Sequence, residues 1–343
     1  MKVIEAHSVN EALYKGLNLI VAEGVKTTSR AGDTIEVPYP VTTVYNNPSD
    51  KVLLSKVRDC NPFFHVMEAL WILAGRSDTK FLCEFNKRMV DFSDNGKTFN
   101  APYGARMRGS SKFASKTDQI AEVVRTLKDK PDSRQAILQI WDKKDLWNYN
   151  TKDKACNMQV VFRLRNNRLD MTVYNRSNDI IWGAYGANVV QFSTLHEYVA
   201  AHLFVKVGTY YHVSNSYHVY TGGRGGEKYE ELVDNLDEII SNIPIYNHNT
   251  NMSITGDDII NGFDTDMLHF FYRYDNAGID GALNSLYGTD YFNKLVIPML
   301  EVWKEHKSKH PVSAVDLLEN IESENWKQAC SDWLLKRYNK GIA

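Results

Sequence analysis

Cysteine is scarce in this chain of 343 residues. Only Cys60, Cys83, Cys156 and Cys330 occur, and no two of them form a Cys-x-x-C pair. Such a set provides neither the disulfide framework of a small secreted protein nor the paired thiolates of a structural zinc site. We therefore expect a reducing, cytoplasmic location and no metal centre.

Long apolar runs and long basic runs are missing as well. No stretch approaches the roughly 20 apolar residues that a membrane-spanning helix needs, and the N-terminal residues lack the apolar segment of a signal peptide. The formal net charge is -2, and no basic run marks a surface for duplex nucleic acid. We expect neither a membrane nor a nucleic acid as partner, although a local basic pocket for one phosphate stays open.

The hydrophobic fraction of 43% is enough for the core of one large domain, or of one domain with an added subdomain. The capping box Ser8–Glu11 predicts a first helix, and residues 62–90 carry the apolar stripe of a long helix. Residues 34–45, rich in β-branched side chains and containing two prolines, predict an edge strand.

The middle of the chain predicts a largely antiparallel sheet, giving a mixed α+β fold. Strands are expected at 136–141, 158–164, 169–174 and 209–220, with a long buried helix at 188–205. Asn166 and Asn167 predict a hairpin turn, and Gly222–Gly226 predicts a flexible turn. Helical periodicity dominates afterwards, so we expect a core domain at 1–244 and a mainly helical extension at 245–343 packed on it.

Cys156 lies at the start of one predicted strand, and the next strand ends in Arg176, Ser177 and Asp179. A thiol taken alone is more often an inert buried group than a nucleophile. Pairing of the two strands would, however, bring a cation, a hydroxyl and a carboxylate to the sulfur, and nearby cations lower a thiol pKa. The pattern favours an enzyme with a nucleophilic cysteine.

Other candidate residues are ambiguous one at a time. Arg30 and Arg134 stand at loop-to-strand boundaries, where a guanidinium binds phosphate well, yet each alone is typical of a surface arginine. His218 and Tyr220 share one face of a strand, as a packed pair or as two donors for a sugar hydroxyl. Glu68 lies among apolar neighbours, either on the polar edge of its helix or turned into a site.

Taken together, these segments resemble the thymidylate synthase superfamily, which includes the phage-type hydroxymethylases of dUMP and dCMP. The matching segments occur in the family's order and span nearly two hundred residues. They are Ser-Arg-x-Gly at Arg30, Glu-Ala-Leu-Trp at Glu68, Pro-Tyr-Gly at Tyr103, Asp-Ser-Arg at Arg134, the nucleophile Cys156, Arg-Ser-Asn-Asp at Arg176–Asp179, Gly183–Asn188, and His-x-Tyr at His218.

The resemblance implies a thymidylate synthase-like fold, with residues 1–244 as the catalytic domain. It also implies one-carbon transfer from 5,10-methylenetetrahydrofolate to a pyrimidine nucleoside monophosphate, without a metal. The Cys156 thiolate would add to C6 of the base and make C5 nucleophilic, with Arg176 favouring the thiolate. Glu68 and Tyr103 would manage proton transfers through water. If the gene belongs to a phage, the location is the host cytoplasm.

Binding roles follow from the same resemblance. The 5′-phosphate would be held by Arg30, Arg176, Ser177 and the partner subunit's Arg134, which implies a homodimer with shared sites. His218 and Tyr220 would bind the 3′-hydroxyl, Asp179 would contact the folate pterin, and Asn188 would read the base.

Departures from the synthases bear on the product. Asn157 follows the nucleophile where synthases have His, Gln135 stands where a second phosphate-binding Arg is usual, and Ser216 replaces an Asp. Val90 falls near the position of a tryptophan that the synthases place against the exocyclic methylene. A small aliphatic residue there would admit water, which favours a hydroxymethyl over a methyl product.

The base is left open by the sequence. Asn188 suits uracil, because an amide can accept from N3–H and donate to O4, but a flipped amide also suits cytosine. We expect a folate-dependent dUMP hydroxymethylase. The alternatives are a dCMP or CMP hydroxymethylase, a synthase making dTMP, and a noncatalytic homologue that binds nucleotide or RNA.

Overall fold

Two sheets organise the computed structural model, which describes residues 1–109, 117–250 and 252–339. The strands are β1 (Lys2–Ala6), β2 (Val25–Ser29), β3 (Gly32–Val37), β4 (Val41–Tyr45), β5 (Ile137–Gln139), β6 (Asn157–Arg165), β7 (Arg168–Asn175), β8 (Asn178–Asp179), β9 (Lys206–Ser214) and β10 (Tyr217–Tyr220). The larger sheet has the order β1-β4-β9-β7-β6-β5, and the smaller one has the order β2-β3-β10-β8.

Helices pack around these sheets and make up most of the chain after β10. They are α1 (Val9–Glu23), α2 (Pro62–Leu73), α3 (Thr79–Phe85), α4 (Tyr103–Met107), α5 (Gln119–Asp129), α6 (Asn188–Leu203), α7 (Gly223–Asp234), α8 (Leu236–Ser241), α9 (Gly256–Ile260), α10 (Phe263–Leu283), α11 (Ile297–Lys307), α12 (Pro311–Asp316) and α13 (Glu324–Asn339). Short 3₁₀ segments cover Lys87–Phe92, Lys143–Leu146, His248–Thr250 and Leu317–Asn320, and π-helical segments cover Ile180–Ala187 and Phe292–Val296.

The strand pairing is mixed, with antiparallel pairs in the majority. In the larger sheet β4–β9, β7–β6 and β6–β5 are antiparallel, whereas β1–β4 and β9–β7 are parallel. In the smaller sheet only β10–β8 is parallel. The predicted α+β class with a mostly antiparallel core sheet is confirmed.

The hairpin between β6 and β7 is the local feature that builds the site. Asn166 and Asn167 both have positive φ, 49° and 57°, which is the geometry of a two-residue turn that suits strand twist. The turn fixes a register in which Asn157 lies opposite Asn175. The residues flanking this pair, Cys156 and Arg176, are thereby neighbours.

Residues 62–90 are helical over most of their length, as predicted, but the helix is not continuous. The segment contains α2, α3 and a 3₁₀ turn. Gly75, with φ of 68°, turns the chain after α2, and the Asp78 side chain then accepts from Phe81 N–H to start α3. A left-handed glycine and a new N-cap end a helix although the apolar pattern continues.

Two predicted strands are each divided between the two sheets. Residues 34–45 break after Val37, because Pro38 and Pro40 lack the N–H that a ladder requires, so that β3 and β4 separate. Neither is an edge strand, since β3 lies between β2 and β10 and β4 lies between β1 and β9. Residues 209–220 are also divided, by a bend at Asn215 and Ser216 that contains no proline, giving β9 and β10.

The glycine-rich stretch is not a flexible turn. Gly223 begins α7 with a φ of 54°, and a side chain at Gly226 would lie 2.1 Å from the Thr221 carbonyl oxygen. The glycines therefore permit a tight entry into a helix.

The C-terminal region is helical, as predicted, and packs on the elements that carry the site. Helices α11 and α13 contact α2, and α9 contacts α6. The domain boundary near residue 244 remains a prediction. Among the described residues, no helix is long and apolar enough to cross a membrane.

Candidate active site

Cys156 and Arg176 meet at the open end of the β6–β7 hairpin. The Arg176 backbone N–H donates to the Cys156 carbonyl at 3.0 Å, and its Nη2 lies 3.8 Å from the Cys156 Sγ. Nε donates to the Ala155 carbonyl at 2.9 Å, while the guanidinium lies 5.5 Å from the Trp141 ring centroid. The cation is thus fixed beside the sulfur by backbone and aromatic contacts.

Burial raises the pKa of the Cys156 thiol, and this is the largest influence on it. Arg176 and Arg30 oppose the shift, whereas Asp153 and Asp179 reinforce it. The predicted effect of the cations is therefore right in sign but smaller than desolvation. Burial therefore opposes ionisation of the Cys156 thiol, and the two arginines offset that effect only in part.

The smaller sheet brings the other polar candidates to this thiol. Pairing of β10 with β8 sets His218 beside Asp179, and His218 and Tyr220 lie side by side with ring centroids 5.3 Å apart. Burial raises the pKa of Tyr220, with Asp179 and Cys156 adding to the shift and Arg30 opposing it. We call Cys156, Arg30, Arg176, His218 and Tyr220 the cationic cluster.

Tyr103, the first residue of α4, connects the sulfur to a drier region. Burial raises the pKa of its phenol above its ordinary value, and Cys156 and Asp153 add to the shift. The Asn157 amide lies close enough to oppose it. Asn157 itself is fully buried, and neither amide atom has a hydrogen-bond partner among the described residues.

Glu68 is turned into the protein rather than lying on a polar helix edge. Its side chain on α2 is 7% exposed, and burial raises its pKa from 4.5 to about 7. Gln191 on α6 donates to its Oε2 at 2.7 Å. A carboxyl group that is half ionised near neutral pH suits proton transfer. Glu68 with Gln191 and Tyr103 with Asn157 form two buried polar pairs, and we call these four residues together the buried polar cluster.

Asn188, the first residue of α6, belongs to a chain of buried amides. Its Nδ2 donates to Asn178 Oδ1 at 3.4 Å, and Asn178 Nδ2 contacts His212 Nε2 at 3.1 Å and Ser214 Oγ at 2.9 Å. Gly183 permits this approach, since a Cβ there would lie 2.9 Å from Asn178 Oδ1. The orientation of Asn188 is therefore supported from behind.

Asp179 has one satisfied and one free carboxylate oxygen. Oδ1 accepts from the backbone N–H groups of Ile181 and Trp182 at 2.8 and 2.7 Å. Oδ2 is buried and has no partner among the described residues. Burial raises the pKa of this carboxyl, while nearby His218 and Arg58 lower it. A buried free oxygen of this kind fits an N–H of a flat heterocycle such as a pterin.

Three candidates are not joined to these clusters by any described contact. Arg134 is exposed and forms no ion pair with a described residue of its own chain, and Ser177 is half-buried without a described hydrogen bond. Val90 is 39% exposed and lines a cavity of about 460 Å³. The other residues lining that cavity are Thr79, Lys80, Cys83, Lys87, Gly96 and Lys97.

A sequence model of the thymidylate synthase family matches residues 12–274. The chain belongs to the thymidylate synthase family. It is a folate-dependent one-carbon transferase of that family, in agreement with the order of its sequence motifs.

Several relatives are similar over much of the chain. The chain is 36% identical to a deoxyuridylate hydroxymethyltransferase of Pseudomonas phage M6, over 98% of this chain and 95% of that protein. It is 44% identical to a deoxyuridylate hydroxymethyltransferase of Bacillus phage SP01, over 63% of this chain and 58% of that protein. A putative thymidylate synthase of Methanosarcina barkeri is 29% identical over 64% of this chain and 89% of that protein.

Several polar residues of this thymidylate synthase family member escaped the sequence analysis. Gln191 lies three residues after Asn188, so the helical period places both on one face of α6, and this spacing was a usable signal. Asn178 and Arg58 gave no such signal, because their partners come from distant segments of the chain.

Groups of three or more His, Cys, Asp or Glu side chains with metal-binding geometry do not occur among the described residues of this family member. The described site consists of a thiol, cations, amides and carboxyls.

Proposed function

We propose that this enzyme hydroxymethylates C5 of dUMP through a covalent adduct at Cys156. The pairing of Cys156 with Arg176 carries the proposal, because it places a fixed cation 3.8 Å from a thiol whose own environment opposes ionisation. The two phage relatives are named deoxyuridylate hydroxymethyltransferases, which supports both the base and the product.

In the proposed reaction the Cys156 thiolate forms a bond to C6 of the uracil, and the electron pair moves to C5. The co-substrate 5,10-methylenetetrahydrofolate supplies the one-carbon unit that C5 captures. Loss of the C5 proton and cleavage of the bond between the one-carbon unit and the folate nitrogen release tetrahydrofolate, which takes up a proton, and leave an exocyclic methylene at C5. Water adds to this methylene to form the hydroxymethyl group, and the S–C6 bond then breaks to restore the ring and the Cys156 thiolate. Tyr103 and Glu68 carry protons through water, since Tyr103 is buried beside Cys156 and Glu68 is a buried carboxyl with a pKa of about 7.

The same proposal assigns the binding residues. Arg30, Arg176 and Ser177 hold the 5′-phosphate, and His218 with Tyr220 binds the 3′-hydroxyl. Asn188 accepts from N3–H through its Oδ1, which is supported by the bond of its Nδ2 to Asn178. Asp179 Oδ2 meets the pterin. Val90 is proposed to leave space for water beside the one-carbon unit. In the structure it lines a cavity that no described contact joins to the two clusters.

We also propose a homodimer in the cytoplasm, with the partner subunit's Arg134 at the phosphate. Exposure of Arg134 without an ion pair in its own described chain supports this role.

The product decides the function. The protein should convert dUMP and 5,10-methylenetetrahydrofolate to 5-hydroxymethyl-dUMP and tetrahydrofolate, as read by mass spectrometry. Formation of dTMP with one dihydrofolate per turnover would instead make it a synthase. Preferential conversion of dCMP in a mixture of both nucleotides would show the wrong base, and nucleotide binding without product would favour a noncatalytic homologue.

Subunit mixing tests the shared site. Arg134→Ala and Cys156→Ala homodimers should each lose activity, and a mixed dimer should recover it because one of its sites has both native residues. If mass spectrometry verifies that mixed dimers have formed and they show no activity, a contribution of Arg134 across the interface is excluded.

A further inference from the structure

Arg58 is a buried cation next to the residues proposed to meet the folate. Its side chain is 4% exposed, its Nε donates to the Ile181 carbonyl at 2.9 Å, and its guanidinium lies 4.3 Å from the Trp182 ring centroid. It also lowers the pKa of Asp179. No described carboxylate lies within ion-pair distance of it.

A tight turn over residues 55–59 presents Arg58. The backbone N–H of Asp59 donates to the Ser55 carbonyl at 3.1 Å, and that of Arg58 donates to Ser55 Oγ at 3.3 Å. Asp59 has a φ of 53°, in the left-handed region that costs energy for most residues other than glycine, asparagine and aspartate. Asp59 is one of the residues that tolerate this conformation, and its side chain is left free to pair with groups outside the turn.

Helix α13 supplies most of those surroundings. Arg337 Nη1 donates to Asp59 Oδ1 at 3.0 Å, and Lys336 Nζ lies 3.5 Å from Asp59 Oδ2. Lys336 also donates to the Lys56 carbonyl at 3.1 Å, and Lys56 pairs with Asp332 at 3.1 Å.

The contacts between α13 and the turn are made by long polar side chains that cross a groove. A groove of about 510 Å³ runs between the turn, α8 and α13, and its walls include Val57, Cys60, Glu238 and Trp333. Arg337 crosses to Asp59 while its guanidinium lies 3.5 Å from the Trp333 ring centroid. Because the groove separates the elements, polar side chains fix their spacing.

We propose that α13, through Asp59, positions Arg58 for the folate co-substrate. This inference rests on the proposed function. The guanidinium is almost enclosed and lies against the Trp182 ring, which is 43% exposed. The indole thus presents a flat surface and the buried cation adds positive charge behind it, which matches a ligand that is flat and anionic. Asp59, Lys336 and Arg337 are positioning residues, and α13 lies beyond the residues that the family model matches.

Substitutions that remove only the bridge test the inference. Asp59→Asn keeps a residue that tolerates positive φ, and Arg337→Gln removes the cation. Each should raise the KM for 5,10-methylenetetrahydrofolate by roughly two- to fivefold, the scale of a lost, partly exposed ion pair, with kcat and the Kd for dUMP unchanged. Arg337→Lys should restore the wild-type KM.

The matched control is Lys327→Gln on the same helix, because Lys327 pairs with Glu319 and Glu324 and not with the turn. Hydrogen exchange provides a readout without turnover: residues 55–60 and 180–187 should exchange faster in Asp59→Asn and Arg337→Gln, and at the wild-type rate in Lys327→Gln.

An unchanged folate KM together with unchanged exchange in both bridge variants would overturn the inference. So would an equal rise of KM in Lys327→Gln. Failure of the proposed function is a separate result, since it would appear as absence of hydroxymethyl product from the wild-type protein.

Discussion

The cationic cluster and the buried polar cluster handle charge in opposite ways. Around Cys156 the charged groups are half-exposed, and Arg176 and Arg30 partly offset the cost of ionising the sulfur. Around Glu68 no cation of a described residue offsets the burial, and with one hydrogen bond from the Gln191 amide the pKa of the carboxyl is about 7. The first region is therefore arranged to bind an anion and the second to exchange a proton.

Loss of the sulfur should have the largest effect. Cys156→Ala should lower the rate of product formation by at least about 10³-fold, because no other group in either cluster can form the C6 bond. Product is measured by chromatography, and the adduct by mass spectrometry of the denatured wild-type protein. Cys83→Ala is the matched control and should stay active. A variant without the thiol that retains activity would remove the basis of the comparison.

The raised pKa of Glu68 should make the free energy of unfolding depend on pH. The pKa of Glu68 is about 7 in the folded state and 4.5 in the unfolded state, so the native state binds more protons between these values. The contribution of Glu68 to the free energy of unfolding is therefore complete below pH 4.5 and is lost as the pH rises through 7. The loss is up to about 3 kcal/mol. Glu68→Gln should lack it, as measured by denaturant unfolding at pH 5 and pH 8. Parallel pH curves for both proteins would mean that Glu68 is not held protonated.

The same substitution should slow the reaction by about 10²-fold, the typical contribution of one proton-transfer group. If the ionised carboxylate accepts the proton through water, wild-type kcat should rise with pH through about 7. Stopped-flow rates from pH 5.5 to 8.5 should show this limb in the wild type and a flat profile in Glu68→Gln. A limb that survives the substitution belongs to another group.

A smaller effect is expected at the base. Asn188→Asp should reduce the preference for dUMP over dCMP by at least about tenfold, because a carboxylate cannot donate to O4 and instead accepts from a cytosine amino group. Competition between labelled nucleotides measures the ratio. Asn188→Ala should weaken dUMP more than dCMP, because it removes the contacts that favour uracil, and an unaltered ratio in Asn188→Asp would place base recognition elsewhere.

Local sequence signals predicted the hairpin that creates the cationic cluster, since Asn166 and Asn167 define the turn and the turn defines the register. These signals predicted one continuous strand in two places where the structure has two strands. The chain is interrupted at Pro38 and at Asn215, and the strands on either side join different sheets. Propensity reports a strand but not which sheet it joins.

The family motifs indicated candidate residues of the site. They did not indicate the hydrogen bonds and pKa values that depend on packing between distant segments. Nothing next to Glu68 in the sequence indicates that Gln191 would bond to it, or that burial would set its pKa. Arg58 escaped notice because Ile181, Trp182 and α13 all lie far along the chain.

An ion pair deep in the interior has a practical consequence for anyone shortening the gene. Lys51 and Glu197 are almost fully enclosed, and Ser253, which follows the predicted boundary, donates to Glu197 at 2.9 Å. A fragment ending at residue 244 would uncover this pair and the apolar surface around it. We expect such a fragment to be recovered in inclusion bodies, so that the helical region must be expressed together with the catalytic residues.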